Sequence, residues 1–138
     1  MKIMFICTGN SARSQMAEGL ARKLSKGSRE VYSAGLDPKG VNPHAIKAMK
    51  EIGIDITGQR SKEVDSSLMS QMDVIVTLCD QAKERCPVTP PHIKTYHWSL
   101  PDPAFFSGTE KEIMAQFGKI RDEISELVKK LLQEYQVI

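Results

Sequence analysis

Short apolar runs alternate along this chain with segments of helical hydrophobic periodicity, and this alternation restricts the fold more than any other feature. The first and third runs are almost wholly apolar, as expected of central strands that are covered on both faces. The predicted strands are Lys2–Ile6, Glu30–Ala34, Val74–Leu78 and Thr95–Trp98. Strands that alternate with helices predict right-handed βαβ units and one open, mainly parallel sheet.

The segments between the strands carry helix signals. Asn42 is a good N-cap before Pro43, and Thr109 can form a capping box with Glu112. One apolar stripe runs along the last helix and consists of Ile113, Phe117, Ile120, Ile124, Leu127 and Leu131. The predicted helices are Ser14–Leu24, Pro43–Ile52, Ser66–Met72 and a last helix from Thr109 through about Tyr135. We therefore expect an α/β fold: a single domain over residues 1–138 with three layers, in which helices cover both faces of an open sheet of four mainly parallel strands.

Composition indicates an ordinary globular protein. Hydrophobic residues make up 41% and charged residues 26% of the chain, and the net charge of +2 is too small to indicate a nucleic-acid or membrane partner. The first apolar run is too short for a signal peptide, and no stretch approaches membrane-spanning length. We expect a cytoplasmic monomer. Three cysteines in such a chain indicate catalytic, redox or metal chemistry in preference to a disulfide framework.

A loop of small residues links the first strand to the first helix. Cys7 precedes this loop, and Arg13 and Ser14 end it. Backbone N–H groups, a helix N-terminus and an arginine fork all favour negative charge, so they would hold a tetrahedral oxyanion and stabilise a thiolate. Ser14 can donate a hydrogen bond to the Cys7 sulfur, and Gly9 can take a positive φ if the curve of the loop needs one. The predicted substrate-binding residues are Thr8, Gly9, Asn10, Ser11, Ala12, Arg13 and Ser14, with Cys7 as the nucleophile.

The pattern Cys7-x5-Arg13-Ser14 resembles the signature of the low-molecular-weight protein tyrosine phosphatases. Members of that family also carry an Asp-Pro pair late in the chain, and here the matching pair is Asp102-Pro103. The resemblance implies that Asp102 is a general acid that protonates a leaving oxygen. Cys7, Cys79 and Asp102 each follow a predicted strand. We therefore expect them to gather at the carboxyl edge of the sheet, where such folds bind ligands.

Two further cysteines follow the third strand. Cys79 ends the strand and Cys86 comes seven residues later. A phosphatase needs neither, because water hydrolyses its cysteinyl-phosphate, so these thiols indicate that electrons move as well. With this segment included, the chain resembles the thioredoxin-coupled arsenate reductases that are built on the phosphatase fold. The stretches that carry the resemblance are Cys7–Gly19, Tyr32–Gly35, Gly40–Pro43, Val76–Asp80, Cys86–Pro87, His97–Trp98 and Asp102–Pro103.

The resemblance implies that the chain reduces arsenate to arsenite through a relay of three cysteines, with no cofactor and with reducing equivalents from thioredoxin. Cys7 would attack arsenate while Arg13 clamps the oxyanion. Cys79 would then attack Cys7, expelling arsenite and leaving a Cys7–Cys79 disulfide, and Cys86 would move the disulfide to Cys79–Cys86. If residues 80–85 are helical, they must unwind for this last bond, because a disulfide needs Cα atoms within about 7 Å.

The chain departs from the family pattern at two positions. One departure removes a cysteine that could be oxidised, and the other changes a site where some relatives bind a cation. Ala12 stands where some relatives have a fourth cysteine. Some relatives also hold a monovalent cation beside the loop with Asn, Glu, Ser and Asp; Asn10, Glu18 and Ser33 match, but Lys62 stands at the Asp position. A lysine ammonium there would repel a cation and could replace its charge. We expect no bound metal and no ion requirement.

Other interpretations of the same residues stay open at this point. A low-molecular-weight phosphatase acting on phosphotyrosine or phosphoarginine would use Cys7, Arg13 and Asp102 and leave the other two thiols idle. A non-enzymatic redox or metal-binding module would use the loop only to bind phosphate. Glutaredoxin could replace thioredoxin as the reductant. A zinc site is a further alternative, although its spacing matches no common zinc pattern; its ligands would be Cys79, Cys86, His92 and His97.

Overall fold

Four strands form one sheet, in the order β2-β1-β3-β4, and all of the pairings are parallel. The computed structural model describes residues 1–79 and 90–138; Cys86 and the segment 80–85 therefore lie outside the described residues. The expected α/β fold with four parallel strands is confirmed, and each strand boundary lies within one residue of its predicted position. The strands are β1 (Lys2–Cys7), β2 (Glu30–Gly35), β3 (Val74–Thr77) and β4 (Lys94–His97).

The pairing register brings the ends of all four described strands to one edge of the sheet. Cys7, the last residue of β1, lies opposite Gly35, the last residue of β2. On the other side of β1, Ile6 lies opposite Thr77, which in turn lies opposite His97. Because the strands are parallel, their carboxyl ends meet at this edge, and the loops that follow them are neighbours.

The described helices are α1 (Arg13–Leu24), α2 (Pro43–Lys50), α3 (Ser66–Met69) and α4 (Glu110–Glu134), with a short 3-10 helix at Pro103–Phe105. The predictions for α2 and α3 were wrong at the C-terminal end, since both helices stop two or three residues early. The N–H of Ile52 bonds the carbonyl of Met49, and the N–H of Met72 bonds that of Met69. Such bonds to the third preceding residue tighten and end a helix.

The predicted N-terminal caps are present. The Asn42 side chain accepts a hydrogen bond of 2.8 Å from the backbone N–H of His44. At the start of α4, Thr109 and Glu112 form the reciprocal capping box, with Thr109 Oγ1 accepting from the Glu112 N–H at 3.2 Å. These local signals fix where two helices begin.

Both faces of β1 and one face of α4 form a large part of the core. Ile3, Met4, Phe5 and Ile6 are all at most 1% exposed, so both faces of β1 are covered. The stripe predicted on α4 needs correction at two positions: Ile113 and Leu127 are only partly buried, whereas Val128 is fully buried. Positions 127 and 128 lie three and four residues after Ile124 and therefore on either side of it on the helix surface, and the side that faces the core here is that of Val128. The buried residues of α4 are Phe117, Gly118, Ile120, Ile124, Val128, Leu131 and Leu132.

Within residues 1–79 and 90–138, we find no helix that combines the length and the apolar character needed to cross a membrane.

Gly35 supports the loop that follows β1, and we predict that Gly35→Ala disturbs it. A Cβ at Gly35 would lie 2.8 Å from both the Thr8 carbonyl oxygen and the Asn10 nitrogen, and these backbone atoms cannot yield easily. We expect a loss of about 1–3 kcal/mol in the free energy of unfolding, together with weaker phosphate binding, measured by denaturant unfolding and by titration. Gly58→Ala is the control, because nothing lies within 4 Å of a Cβ there. Equal effects of both substitutions would contradict this role of Gly35.

Candidate active site

The loop between β1 and α1 curves because Asn10, not Gly9, adopts the left-handed conformation. Asn10 has φ 45°, and Gly9 is not among the residues of positive φ. Gly9 is small for another reason: a Cβ there would lie 3.2 Å from Cγ of Lys39. The sequence allowed Gly9 a positive φ if the curve needed one, but the structure makes the curve at Asn10 instead. Asparagine tolerates this conformation better than most residues, because its short side chain can bond nearby groups.

The Asn10 side chain braces the loop from behind. Its Oδ1 accepts a hydrogen bond of 2.8 Å from the backbone N–H of Lys62, and its Nδ2 donates to Ser14 Oγ at 2.8 Å. A backbone N–H can only donate, so this contact fixes which end of the amide is the oxygen. Asn10 is fully buried. The loop is thereby tied both to the start of α1 and to the segment around Lys62.

Cys7 lies at the floor of the loop with a hydroxyl beside its sulfur. The distance from Cys7 Sγ to Ser14 Oγ is 2.9 Å, and both residues are buried. Because Asn10 donates to Ser14 Oγ, the hydrogen of the Ser14 hydroxyl can be directed at the sulfur. A hydrogen bond of this kind stabilises a thiolate more than a thiol.

Arg13 is held at the other side of the loop, where it meets Asp102. Its guanidinium donates to the Leu100 carbonyl at 2.9 Å and lies 3.4 Å from Asp102 Oδ2. The second oxygen of Asp102 accepts from the Ala104 N–H at 2.9 Å and caps the short 3-10 helix. The structure thus brings Arg13 together with Asp102 and with Leu100, although Leu100 lies 87 positions after Arg13 in the sequence. A carboxylate and a fork of N–H donors both face the loop.

Cys79 lies beside the loop from the neighbouring strand. Its sulfur is 3.1 Å from the hydroxyl of Thr8, the residue that directly follows the nucleophile position, and Cys79 is 7% exposed. Two thiols therefore stand at the same edge of the sheet, each next to a different hydroxyl. Cys86 lies outside the residues that the structure describes.

A pocket of about 260 Å³ opens over the loop, a volume suited to a small anion and some water. The described residues that line it are Cys7, Thr8, Gly9, Ser11, Ala12, Arg13, Lys39, Asp102, Ala104 and Phe105. Asn10 and Ser14, which the sequence also placed in the substrate loop, lie behind it and are fully buried. A larger hollow of about 870 Å³ lies along α4, but it is an open surface groove without a thiol.

A second group of buried contacts, which the sequence did not reveal, holds the loop from below. Gln15 Nε2 donates to the carbonyls of Asn10 and Arg60 at 3.0 and 2.9 Å. Gln59 bonds both the backbone and side-chain oxygens of Gln15, and Ser61 Oγ donates to the Gly9 carbonyl at 3.0 Å. These partners come from residues 59–61, and no local pattern marks that segment as a neighbour of the loop.

In the part of the chain that the structure describes, no group of three or more His, Cys, Asp and Glu side chains is arranged to hold a metal ion. His97, one of the ligands of the zinc alternative, lies with its Nδ1 2.7 Å from the Thr77 hydroxyl. Cys86, another ligand of that alternative, is not among the described residues.

The sequence is similar to known proteins along nearly its whole length. The model of the family described as low molecular weight phosphotyrosine protein phosphatase matches residues 2–137. The arsenate reductase of Bacillus subtilis (strain 168) is 50% identical over 131 residues, which cover 95% of this chain and 94% of that protein.

The fold is similar to that of solved arsenate reductases. One, in the phosphate binding state, aligns with a TM-score of 0.77 and 38% identity, covering 96% of this chain and 97% of the other. Another, in the oxidized state, aligns with a TM-score of 0.80 and 34% identity over the same shares of the two chains. The chain therefore belongs to the low molecular weight phosphotyrosine protein phosphatase family, and within it to the group of the arsenate reductases.

Proposed function

We propose that this protein reduces arsenate to arsenite through a relay of Cys7, Cys79 and Cys86, and that thioredoxin returns it to the reduced state. The observation that supports this most is the second buried thiol: Cys79 Sγ lies 3.1 Å from Thr8, inside the loop that carries the nucleophile. The identity of 50% to an arsenate reductase supports the same substrate. We expect the enzyme to act as a cytoplasmic monomer and without a cofactor.

The first step is attack of the Cys7 thiolate on arsenate. A sulfur–arsenic bond forms, and an arsenic–oxygen bond breaks as water leaves. Arg13 and the backbone N–H groups of the loop would hold the remaining oxygens, and Asp102, which lines the same pocket 3.4 Å from Arg13, would give the departing oxygen its proton. Arsenic stays pentavalent in this step.

Reduction occurs in the second step. The Cys79 thiolate attacks Cys7 Sγ, so a disulfide forms while the sulfur–arsenic bond breaks. Both electrons of that bond stay with arsenic, which leaves as trivalent arsenite, and the two thiols are oxidised. A hydrogen bond donated by Thr8 to Cys79 Sγ would favour the attacking thiolate. In the third step Cys86 attacks Cys79 and frees Cys7. A dithiol protein such as thioredoxin then reduces the Cys79–Cys86 bond, and its own two thiols become a disulfide.

The relay predicts different failures for Cys79→Ser and Cys86→Ser. Without reductant, Cys86→Ser should still release a single equivalent of arsenite and stop with a Cys7–Cys79 disulfide, whereas Cys79→Ser should release none. With thioredoxin, thioredoxin reductase and NADPH, neither variant should turn over steadily. Arsenite is measured by mass spectrometry and the disulfides by peptide mapping.

The wild type is the control for this experiment. After one turnover without reductant it should carry a Cys79–Cys86 disulfide, and thioredoxin should sustain its turnover where glutaredoxin with glutathione does not. Full steady turnover of both serine variants would show that the relay is wrong. Sustained turnover with glutaredoxin alone would show that the assigned reductant is wrong.

A second activity, hydrolysis of phosphate monoesters, is favoured by one observation. Asp102 lines the same pocket as Cys7 and Arg13, which is the arrangement that a cysteine phosphatase needs to protonate its leaving group. Weak phosphatase activity is compatible with arsenate reduction, because both begin with thiolate attack on a tetrahedral oxyanion. Its presence alone therefore does not decide which activity is the main one.

We predict that Asp102→Asn lowers the kcat for p-nitrophenyl phosphate by roughly 100-fold or more, since general acids contribute about that factor or more. Asp65→Asn is the matched control. Like Asp102, Asp65 accepts a backbone N–H two residues on at 2.9 Å and caps a short helix, but it lies outside the pocket lining. If Asp102→Asn keeps wild-type hydrolysis, Asp102 is not the acid.

A lysine, Lys62, lies close to the buried Glu18 where some relatives of this family bind a cation. Glu18 is 4% exposed at its side chain, accepts from Ser33 Oγ at 2.6 Å and lies 3.2 Å from Arg22. Lys62 Nζ lies 3.9 Å from the same carboxylate and donates to the Arg60 carbonyl. Burial lowers the pKa of Lys62, and the charge of Glu18 opposes that shift. The ammonium therefore supplies positive charge close to the buried carboxylate.

We predict that potassium ions do not activate this enzyme. Replacing sodium chloride by potassium chloride at constant ionic strength should leave kcat/KM for arsenate and the melting temperature unchanged, because the Lys62 ammonium already faces Glu18 at 3.9 Å. Lys62→Met, which removes the charge, serves as the comparison and should lower the melting temperature. A clear rise in wild-type kcat/KM with potassium would contradict this account of Lys62.

A further inference from the structure

Residues 36–39 run beside the active-site loop, although the sequence did not mark them as part of the site. The N–H of Asp37 bonds the Thr8 carbonyl at 2.8 Å, and the N–H of Lys39 bonds the Gly9 carbonyl at 2.9 Å. These bonds continue the pairing of β1 and β2 beyond the ends of both strands. The position of Lys39 is therefore fixed by the backbone.

The side chain of Lys39 passes over Gly9 to the rim of the pocket. Its Cγ would be 3.2 Å from a Cβ at Gly9, so its aliphatic stem packs where a larger loop residue would stand. Lys39 lines the pocket together with Cys7 and Asp102. A flexible stem that carries a compact charge thus reaches the space that the oxyanion must enter.

The ammonium of Lys39 is held by an exchangeable ion pair. Lys39 Nζ lies 2.8 Å from Asp37 Oδ2, and the two side chains are 65% and 63% exposed. Pairs as exposed as this are weak, and their partners separate easily. Arg13, the other cation among the described lining residues, is 7% exposed and is held by Leu100 and Asp102. Lys39 is thus the more exposed and the less tightly held of the two charges.

We propose that Lys39 is a substrate-positioning residue: its ammonium separates from Asp37 and binds the incoming oxyanion dianion at the mouth of the pocket. The Asp37 carboxylate competes with the dianion for this ammonium. The proposal rests on the proposed function for arsenate, but its phosphate form stands without it. Lys39 reaches the pocket from its exposed rim, whereas Arg13 is buried, so Lys39 acts on entry and affinity and not on the sulfur. Its effect belongs to KM and to kcat/KM, while kcat stays as it is.

The magnitude follows from Coulomb attraction in a wet environment. A single charge about 5 Å from a dianion in water would change the affinity by about fifteenfold without salt, and by roughly threefold to tenfold once screening at about 0.1 M salt is included. Salt should reduce the effect strongly, because the Debye length falls from about 10 Å at 0.1 M to about 3 Å at 1 M. Removal of Asp37 should have the opposite sign, since it removes the competing carboxylate.

The experiment measures phosphate affinity of the reduced protein by calorimetric titration, and KM and kcat for arsenate, at low and at high salt. Lys39→Gln should weaken phosphate binding and raise KM by about threefold to tenfold at low salt, with kcat unchanged and the difference lost at 1 M salt. Lys39→Arg should stay near the wild type, and Asp37→Asn should bind more tightly. Lys47→Gln is the matched control, because Lys47 is also an exposed lysine in an ion pair, 3.3 Å from Glu110 and outside the pocket lining.

Unchanged phosphate affinity in Lys39→Gln at low salt overturns the proposal, as does an equal loss in Lys47→Gln or a loss that persists at 1 M salt. Failure of the wild type to reduce arsenate would instead overturn the proposed function. The phosphate titration would still decide the role of Lys39 in that case.

Discussion

The parallel pairing of β1 with a strand on each side is the constraint on which the rest of the molecule depends. Since Cys7 is in register with Gly35 and Ile6 with Thr77, the chain leaves three neighbouring strands at one edge of the sheet. The segment after β1 forms the loop around Cys7, the segment after β2 places residues 36–39 beside that loop, and the segment after β3 carries Cys79. Hydrogen bonds of the sheet thus set the relative positions of two thiols and two cations.

Neutral amide side chains hold the shape of the loop, whereas charged side chains line the pocket above it. Asn10, fully buried, holds the loop shape through amide hydrogen bonds, and Gln15 adds two more from below. The charges stand on side chains that reach the pocket from its rim, namely Arg13, Lys39 and Asp102. A neutral brace keeps its geometry when an anion arrives or leaves, so the donors are already aimed at the charge they stabilise.

Features set by neighbours in sequence could be predicted, and features set by distant segments could not. The caps at Asn42 and Thr109 depend on residues two or three positions away, and both are present as predicted. The sequence showed only that Gly9 could take a positive φ; the structure places it at Asn10, where the Lys62 N–H bonds the side chain, while Lys39 packs against Gly9. Those partners lie about 30 and 50 residues away. Lys39 could have been found only by extending the register of β1 and β2 past their ends.

Two sulfurs of the described residues lie near the loop and have separate hydroxyl partners: Ser14 for Cys7, and Thr8 for Cys79. Neither thiol must give up its partner when the other reacts. In a relay of the kind proposed, the hydroxyls would then not determine the order of the steps. The order would follow from which sulfur reaches the oxyanion first, because that sulfur becomes the target of the other sulfur. The positions of the groups would thus fix the order of the steps, and the same two hydroxyls would be in place for the next cycle as soon as both thiols are restored.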